Sequence, residues 1–136
     1  AVLIGRNGSG KSIFFSQLQQ SFARKDNCGV QSVSFDDTLS FLKKYGSEKV
    51  ATVASGGVST NQARELIVRF GLINCFTRRV DSLSTGELRK LMLARSVATK
   101  PSLLLLDGAH DGLDIESGKQ LTNLLSSLVK GFPPLL

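Results

Sequence analysis

The sequence predicts an α/β fold, with a mostly parallel sheet and an inserted helical piece, on three observations. A glycine-rich stretch, Gly5-Arg6-Asn7-Gly8-Ser9-Gly10-Lys11-Ser12, follows the apolar tetrapeptide Ala1-Val2-Leu3-Ile4, which reads as a buried strand. A second apolar run, Leu103-Leu104-Leu105-Leu106, does not alternate with polar residues and ends in Asp107, as a central parallel strand covered on both faces would. Between the two runs most apolar residues recur at helical spacing, so the order is strand, loop, helix, strand, helical insertion, strand, helix.

Taken in order, Phe14, Leu18 and Phe22 predict a helix from about Lys11 to Arg24, closed by Asp26-Asn27-Cys28-Gly29. Val30 to Phe35 is the second strand candidate, and a short helical segment follows around Thr38 to Tyr45. Gly46 to Ser59 is rich in Gly, Ser and Thr and reads as a surface connection. Ser59 or Thr60 can cap a helix whose apolar residues Ala63, Leu66, Ile67 and Phe70 share one face, with Gly71 ending it. The next helix is expected from Thr85 to about Ala98, where Pro101 blocks continuation. Leu121, Leu124, Leu125 and Leu128 mark a last amphipathic helix stopped by Gly131. The expected organisation over 1–136 is a core at about 1–37 and 99–136, with a helical subdomain at about 38–98.

Composition narrows the function classes. A chain of 136 residues that is 41% hydrophobic and 21% charged can bury one core, so one domain is expected. Ala1 stands inside a strand with no initiator methionine, and the far end stops at Gly131-Phe132-Pro133-Pro134-Leu135-Leu136, so the chain reads as an excerpt of a longer one. The longest aliphatic run, Leu103 to Leu106, is far short of the roughly 20 residues that cross a bilayer, and a soluble piece is expected. Cys28 and Cys75 lack metal-like pairing and read as reduced thiols of an intracellular protein. The net charge of +6 comes from scattered pairs such as Arg24-Lys25, Lys43-Lys44, Arg78-Arg79 and Arg89-Lys90. Those are read as solvated faces rather than a nucleic-acid stripe, since no aromatic residues interleave with them.

The chemistry-bearing residues fall in three places. Gly5 to Ser12 fits the Gly-x4-Gly-Lys-Ser/Thr template of a phosphate cradle, in which glycines turn successive amides inward and the following helix presents its N-terminus to the anion. The amides of Asn7, Gly8, Ser9, Gly10 and Lys11 are expected to wrap a β-phosphate. The Lys11 ammonium would reach the β- and γ-oxygens, and the Ser12 hydroxyl would ligate Mg²⁺. Asp107 lies at the carboxyl end of its strand, where open α/β sheets bind ligands, and can hold Mg²⁺ directly or through water opposite Ser12. The third place is Leu83-Ser84-Thr85-Gly86-Glu87, where Ser84 and Glu87 form a capping box and the capped helix start is also an anion site.

These pieces resemble the ATP-binding cassette of ABC proteins. The phosphate loop, Leu83-Ser84-Thr85-Gly86-Glu87, Leu103-Leu104-Leu105-Leu106-Asp107 and Asp111-Gly112-Leu113-Asp114 stand in that family's order and spacing over nearly the whole chain. A closer similarity is to the soluble tandem cassettes associated with bacterial molybdate transport. The resemblance implies a cytoplasmic ATPase, soluble or peripheral to a membrane, with Gly5 to Ser12 as Walker A loop and Asp107 as Walker B aspartate. It further implies that Ser84 and Gly86 are the signature contacts to a γ-phosphate and that Asp114 lies at a dimer seam. The implied cofactors are ATP and Mg²⁺. The implied partners are a second cassette, in a homodimer or a tandem pair, and a membrane-domain subunit.

The sequence also departs from the family's pattern. Gly108 occupies the place of the glutamate that polarises the attacking water, with His110 and Asp111 as candidate substitutes. Asp36-Asp37 stand near the expected glutamine, and Thr85 replaces a usual glycine. The main reading is an ATP-hydrolysing cassette. The second is a degenerate module that binds MgATP while the opposite site does the chemistry, and the third is a nucleic-acid- or ribosome-associated ABC ATPase suggested by the basic balance.

Overall fold

The computed structural model describes residues 2–5, 17, 29–56, 59–99, 101, 103–109 and 111–130. The chain divides into two compact units, Ala1–Asp36 with Lys100–Leu136, and Asp37–Thr99. In the first, β1 (Val2–Gly5), β2 (Val30–Ser34) and β3 (Leu103–Asp107) form a parallel sheet in the order β1-β3-β2. The four leucines of β3 are 0–1% exposed, as expected for a central strand covered on both faces. Edge strand β2 instead alternates, with Val33 buried between exposed Ser32 and Ser34. The strand ends one residue before the sequence suggested, because Phe35 starts a 3₁₀ turn, Phe35–Asp37.

The last helix of this unit, α5 (Ile115–Val129), buries Leu121, Leu125 and Leu128, an i, i+4, i+7 stripe. Its start is fixed by Asp114, whose Oδ1 accepts the Ser117 amide at 2.8 Å. The helix expected over 11–24 lies outside the described residues apart from Gln17, which is helical.

The second unit is helical: α1 (Thr38–Tyr45), α2 (Val50–Ser55), α3 (Thr60–Arg69) and α4 (Thr85–Ala98). Helix α2 corrects the reading of Gly46 to Ser59 as a surface connection. Val50, Val53 and Ala54 are 0–1% exposed, and α2 packs on both α3 and α4. A helix this short forms through such packing rather than by intrinsic propensity, which two valines lower further. Arg95 of α4 ties the bundle together. Its Nη1 donates to the Val53 carbonyl and its Nη2 to the Tyr45 hydroxyl, each at 2.9 Å, with the guanidinium 4.5 Å from the Tyr45 ring centre.

Helix α3 is delimited as the sequence indicates. Ser59 and Gln62 form a reciprocal capping box at its start. At its end Gly71 turns into the left-handed region (φ 68°), while the Leu72 amide bonds back to the Ile67 carbonyl at 2.9 Å and Gly71 to Val68 at 3.1 Å. This Schellman arrangement brings buried Leu72 and Ile67 together at the helix end, and it requires a residue without a Cβ penalty at 71.

Candidate functional site

At the carboxyl edge of the sheet the parallel register pairs Gly5 with Asp107 on one side and Ser34 with Asp107 on the other. The three strands therefore deliver to one edge the first glycine of the phosphate-loop motif and a carboxylate that is 9% exposed. An aspartate is held there by the burial of the four leucines that precede it, which fixes the strand's register and depth. The loop residues Asn7, Gly8, Ser9, Gly10, Lys11 and Ser12, with Arg6 and His110, lie outside the described residues.

Immediately after Asp107 the backbone turns sharply. Gly108 has φ 68° and Gly112 has φ 74°, and the Asp111 amide bonds to the Gly108 carbonyl at 3.2 Å. The left-handed conformation at 108 costs an ordinary residue roughly 1–2 kcal/mol, so glycine suits this position conformationally. Asp111 is partly exposed and Asp114 exposed. Hydrogen bonds from Ser117 hold the Asp114 carboxyl below the usual aspartate range.

In the helical unit, Ser84, Thr85, Gly86 and Glu87 open α4. The Ser84 Oγ accepts the Glu87 amide at 3.2 Å, and the Ser84 amide donates to Glu87 Oε1 at 2.9 Å, so the capping box is complete. Ser84 and Thr85 are exposed and Gly86 partly so. A hydroxyl that accepts from the helix still has its own proton to donate, and the first-turn amides of a 14-residue helix carry partial positive charge. The turn can therefore receive an anion.

Sequence reasoning missed the support beneath this turn. Glu87 Oε2 accepts the Cys75 thiol at 2.6 Å, and Arg78 Nη1 lies 3.6 Å from the same oxygen and 3.8 Å from the sulfur. Arg78 also donates through Nη2 to the Ser82 carbonyl. The bond from Cys75, followed by the Ser84 amide, holds the Glu87 carboxyl below its ordinary range. Burial, followed by Glu87, pushes the Cys75 thiol up. Arg78 is exposed, with a side chain 43% accessible, as its place in a solvated basic pair implies, and neither that reading nor that of Cys75 as a reduced thiol points to these contacts. Nothing in their spacing signals the cluster, because 12 residues separate Cys75 from Glu87.

Among the described residues, no group of three or more His, Cys, Asp or Glu could hold a metal unaided. No described helix is long and apolar enough to cross a membrane.

Comparison with known proteins agrees with the architecture. A family model described as ABC transporter matches residues 1–110. The chain is 29% identical to the ABC transporter ATP-binding protein ModF of Escherichia coli, over 92% of this chain and 30% of that one. It is 28% identical to the zinc import ATP-binding protein ZnuC of Alcanivorax borkumensis, over 93% of this chain and 52% of that one. It thus spans 30% of the first relative's length and 52% of the second's. The structure of cbiO1 from Clostridium perfringens, part of the ABC transporter complex cbiONQ, superposes with a TM-score of 0.72 at 19% identity, covering 96% of this chain and 62% of that one. The match over most of its length, on a parallel α/β sheet, shows that the chain belongs to the ABC transporter family as part of an ATP-binding domain.

Proposed function

We propose that this chain binds MgATP at the carboxyl edge of its sheet and works as one cassette of a pair. The observation that carries the reading is the register of Asp107 with Gly5, which supports a carboxylate beside the start of the phosphate loop. Gly5, Asn7, Gly8, Ser9 and Gly10 would line the polyphosphate, and Lys11 would neutralise its β- and γ-oxygens. A magnesium ion would be held by Ser12 and Asp107, with its remaining ligands from phosphate and water. That fits a site with one buried carboxylate rather than a protein cage. When bound, the ion offsets the charge that develops on the transferring phosphate.

Ser84 and Gly86 would contact the γ-phosphate of the nucleotide held by the second cassette, in a homodimer or a tandem pair, with Asp114 at the seam between them. The exposure of Ser84 and of Asp114 supports both assignments. ZnuC is named as an import protein and cbiO1 as part of a transporter complex. By likeness to them, the work of this cassette is to drive a membrane-domain partner from the cytoplasmic side.

Hydrolysis at this chain's own cradle is slow in this reading. Gly108 supplies no carboxylate, and a general base of this kind contributes about 10²- to 10⁴-fold, or roughly 3–5 kcal/mol of barrier. The left-handed turn at 108 favours the degenerate form of the reading over a fully active one. Calorimetry on the complete parent polypeptide tests the binding. MgATP should bind with measurable heat, and Lys11→Ala should weaken it at least tenfold. Absence of heat from the unaltered protein would overturn the proposal.

A further inference from the structure

The cluster beneath the signature turn does more than fill space. Each oxygen of the Glu87 carboxylate has a separate task, with Oε1 receiving the Ser84 amide at 2.9 Å and Oε2 receiving the Cys75 thiol at 2.6 Å. Arg78 closes the arrangement, lying 3.6 Å from Oε2 and donating to the Ser82 carbonyl two residues before Ser84. The Ser82 hydroxyl in turn donates to the Arg79 carbonyl at 2.7 Å. The turn is therefore gripped from outside at residue 82 and, through Glu87, at residue 84. A two-sided grip removes rotamer freedom from a glutamate that would otherwise swing in solvent.

From this geometry we propose that Cys75 and Arg78 are positioning residues for Ser84. By fixing the Glu87 arm of the capping box, they set where the exposed hydroxyl and the first amides of α4 meet a nucleotide's terminal phosphate. The inference rests on the reading of this turn as a nucleotide contact. Such a contact tolerates displacement of only about 0.5 Å, so a loosened arm would weaken it without unfolding the helix, whose inward face is held by Leu88, Leu91, Leu93 and Ala94. The chemistry suits a permanent brace. The thiol, pushed up by burial and by the carboxylate, stays a donor near neutrality, and the depressed carboxyl stays an acceptor.

The test uses the complete parent protein and the variants Cys75→Ala, Cys75→Ser, Arg78→Gln and Ser84→Ala. Arg78 has a side chain 43% exposed, so Arg78→Gln leaves the core intact should Cys75→Ala fold poorly. Cys75→Ala and Arg78→Gln should each speed hydrogen exchange at the Ser84 amide at least tenfold, with amides of Leu91 to Ala94 unchanged. They should also raise at least fivefold the MgATP concentration needed for cassette pairing, while calorimetric affinity at the chain's own cradle stays within twofold. Cys75→Ser, which keeps a donor, should stay within threefold of the unaltered protein in both readouts. Unchanged exchange at Ser84, or equal loosening throughout α4, would overturn the positioning role. If Ser84→Ala impairs pairing but Cys75→Ala and Arg78→Gln do not, the positioning role alone fails. If Ser84→Ala has no effect either, the turn is not a nucleotide contact and the inference falls with that reading.

Discussion

Two carboxylates, Asp107 and Glu87, anchor the two halves of the proposed chemistry, and they are held by different physics. Asp107 ends a strand whose four leucines are essentially sealed from solvent, paired on both sides by backbone ladders. Glu87 opens a helix and is fixed by a serine amide, a thiol and a guanidinium. The first placement is set by burial and register, which single surface changes do not disturb. The second depends on a few polar atoms, and each can be removed singly. The sheet edge should therefore fail only with the fold, whereas the turn should loosen by degrees.

The largest effect that would sharpen this contrast is in the strand. Leu105→Ala removes a side chain with no solvent exposure and should cost about 2–5 kcal/mol in denaturant unfolding. A loss below 1 kcal/mol would mean that β3 is not the central packed element described. Next comes Gly108→Glu. Restoring a base should raise phosphate release from this site at least tenfold, even though the left-handed backbone at 108 costs about 1–2 kcal/mol. Gly108→Ala carries the strain without the base and should lower stability with no gain in rate. A normal rate in the unaltered site would end the degenerate reading, and no gain with Gly108→Glu would show that the missing base is not the limitation.

A smaller effect is expected at the turn. Ser84→Ala removes the cap of α4 and should cost about 1 kcal/mol, read by denaturant unfolding. The smallest is its pH dependence. The Glu87 carboxyl is depressed, so its contribution is fully present above the unfolded value near pH 4.3 and is lost as pH falls through the lower folded value. The Cys75 thiol is raised, so its contribution is fully present below about pH 8.5 and is lost as pH rises through the higher folded value. Protection of the Ser84 amide, after correction for intrinsic exchange rates, should form a plateau between these limits and decline outside them. Equal decline at the Leu105 amide would erase the distinction between the two regions.

The same contrast explains what could be read from the residues alone. Strand β3 was legible because four leucines without alternation have few other homes in an α/β protein. The limits of α4 were legible because Ser84 and Glu87 at capping spacing mark its start and Pro101 bars its extension. Gly71 was legible as the end of α3 because a Schellman turn needs its conformational freedom. Helix α2 was not, since Val50, Val53 and Ala54 sit among Gly, Ser and Thr and become helical by packing on α3 and α4, a tertiary effect without a local signature. At the candidate site, the phosphate-loop motif, Asp107 and Ser84 announced themselves by motif chemistry. The brace from Cys75 and Arg78 did not, because it exists only once the segment between α3 and α4, with its 3₁₀ turns Ile73–Cys75 and Val80–Ser82, brings Cys75 against Glu87.

The central claim is that a nucleotide's divalent ion is gripped at the sheet edge by Asp107. Electron paramagnetic resonance of Mn²⁺ titrated into the ATP-loaded parent protein tests it most directly, using manganese as a stand-in for magnesium. In the unaltered protein Mn²⁺ should bind tightly in the presence of ATP, and Asp107→Asn should weaken that binding at least tenfold while the nucleotide itself still binds. Identical Mn²⁺ affinity and line shape in the two proteins would contradict the account.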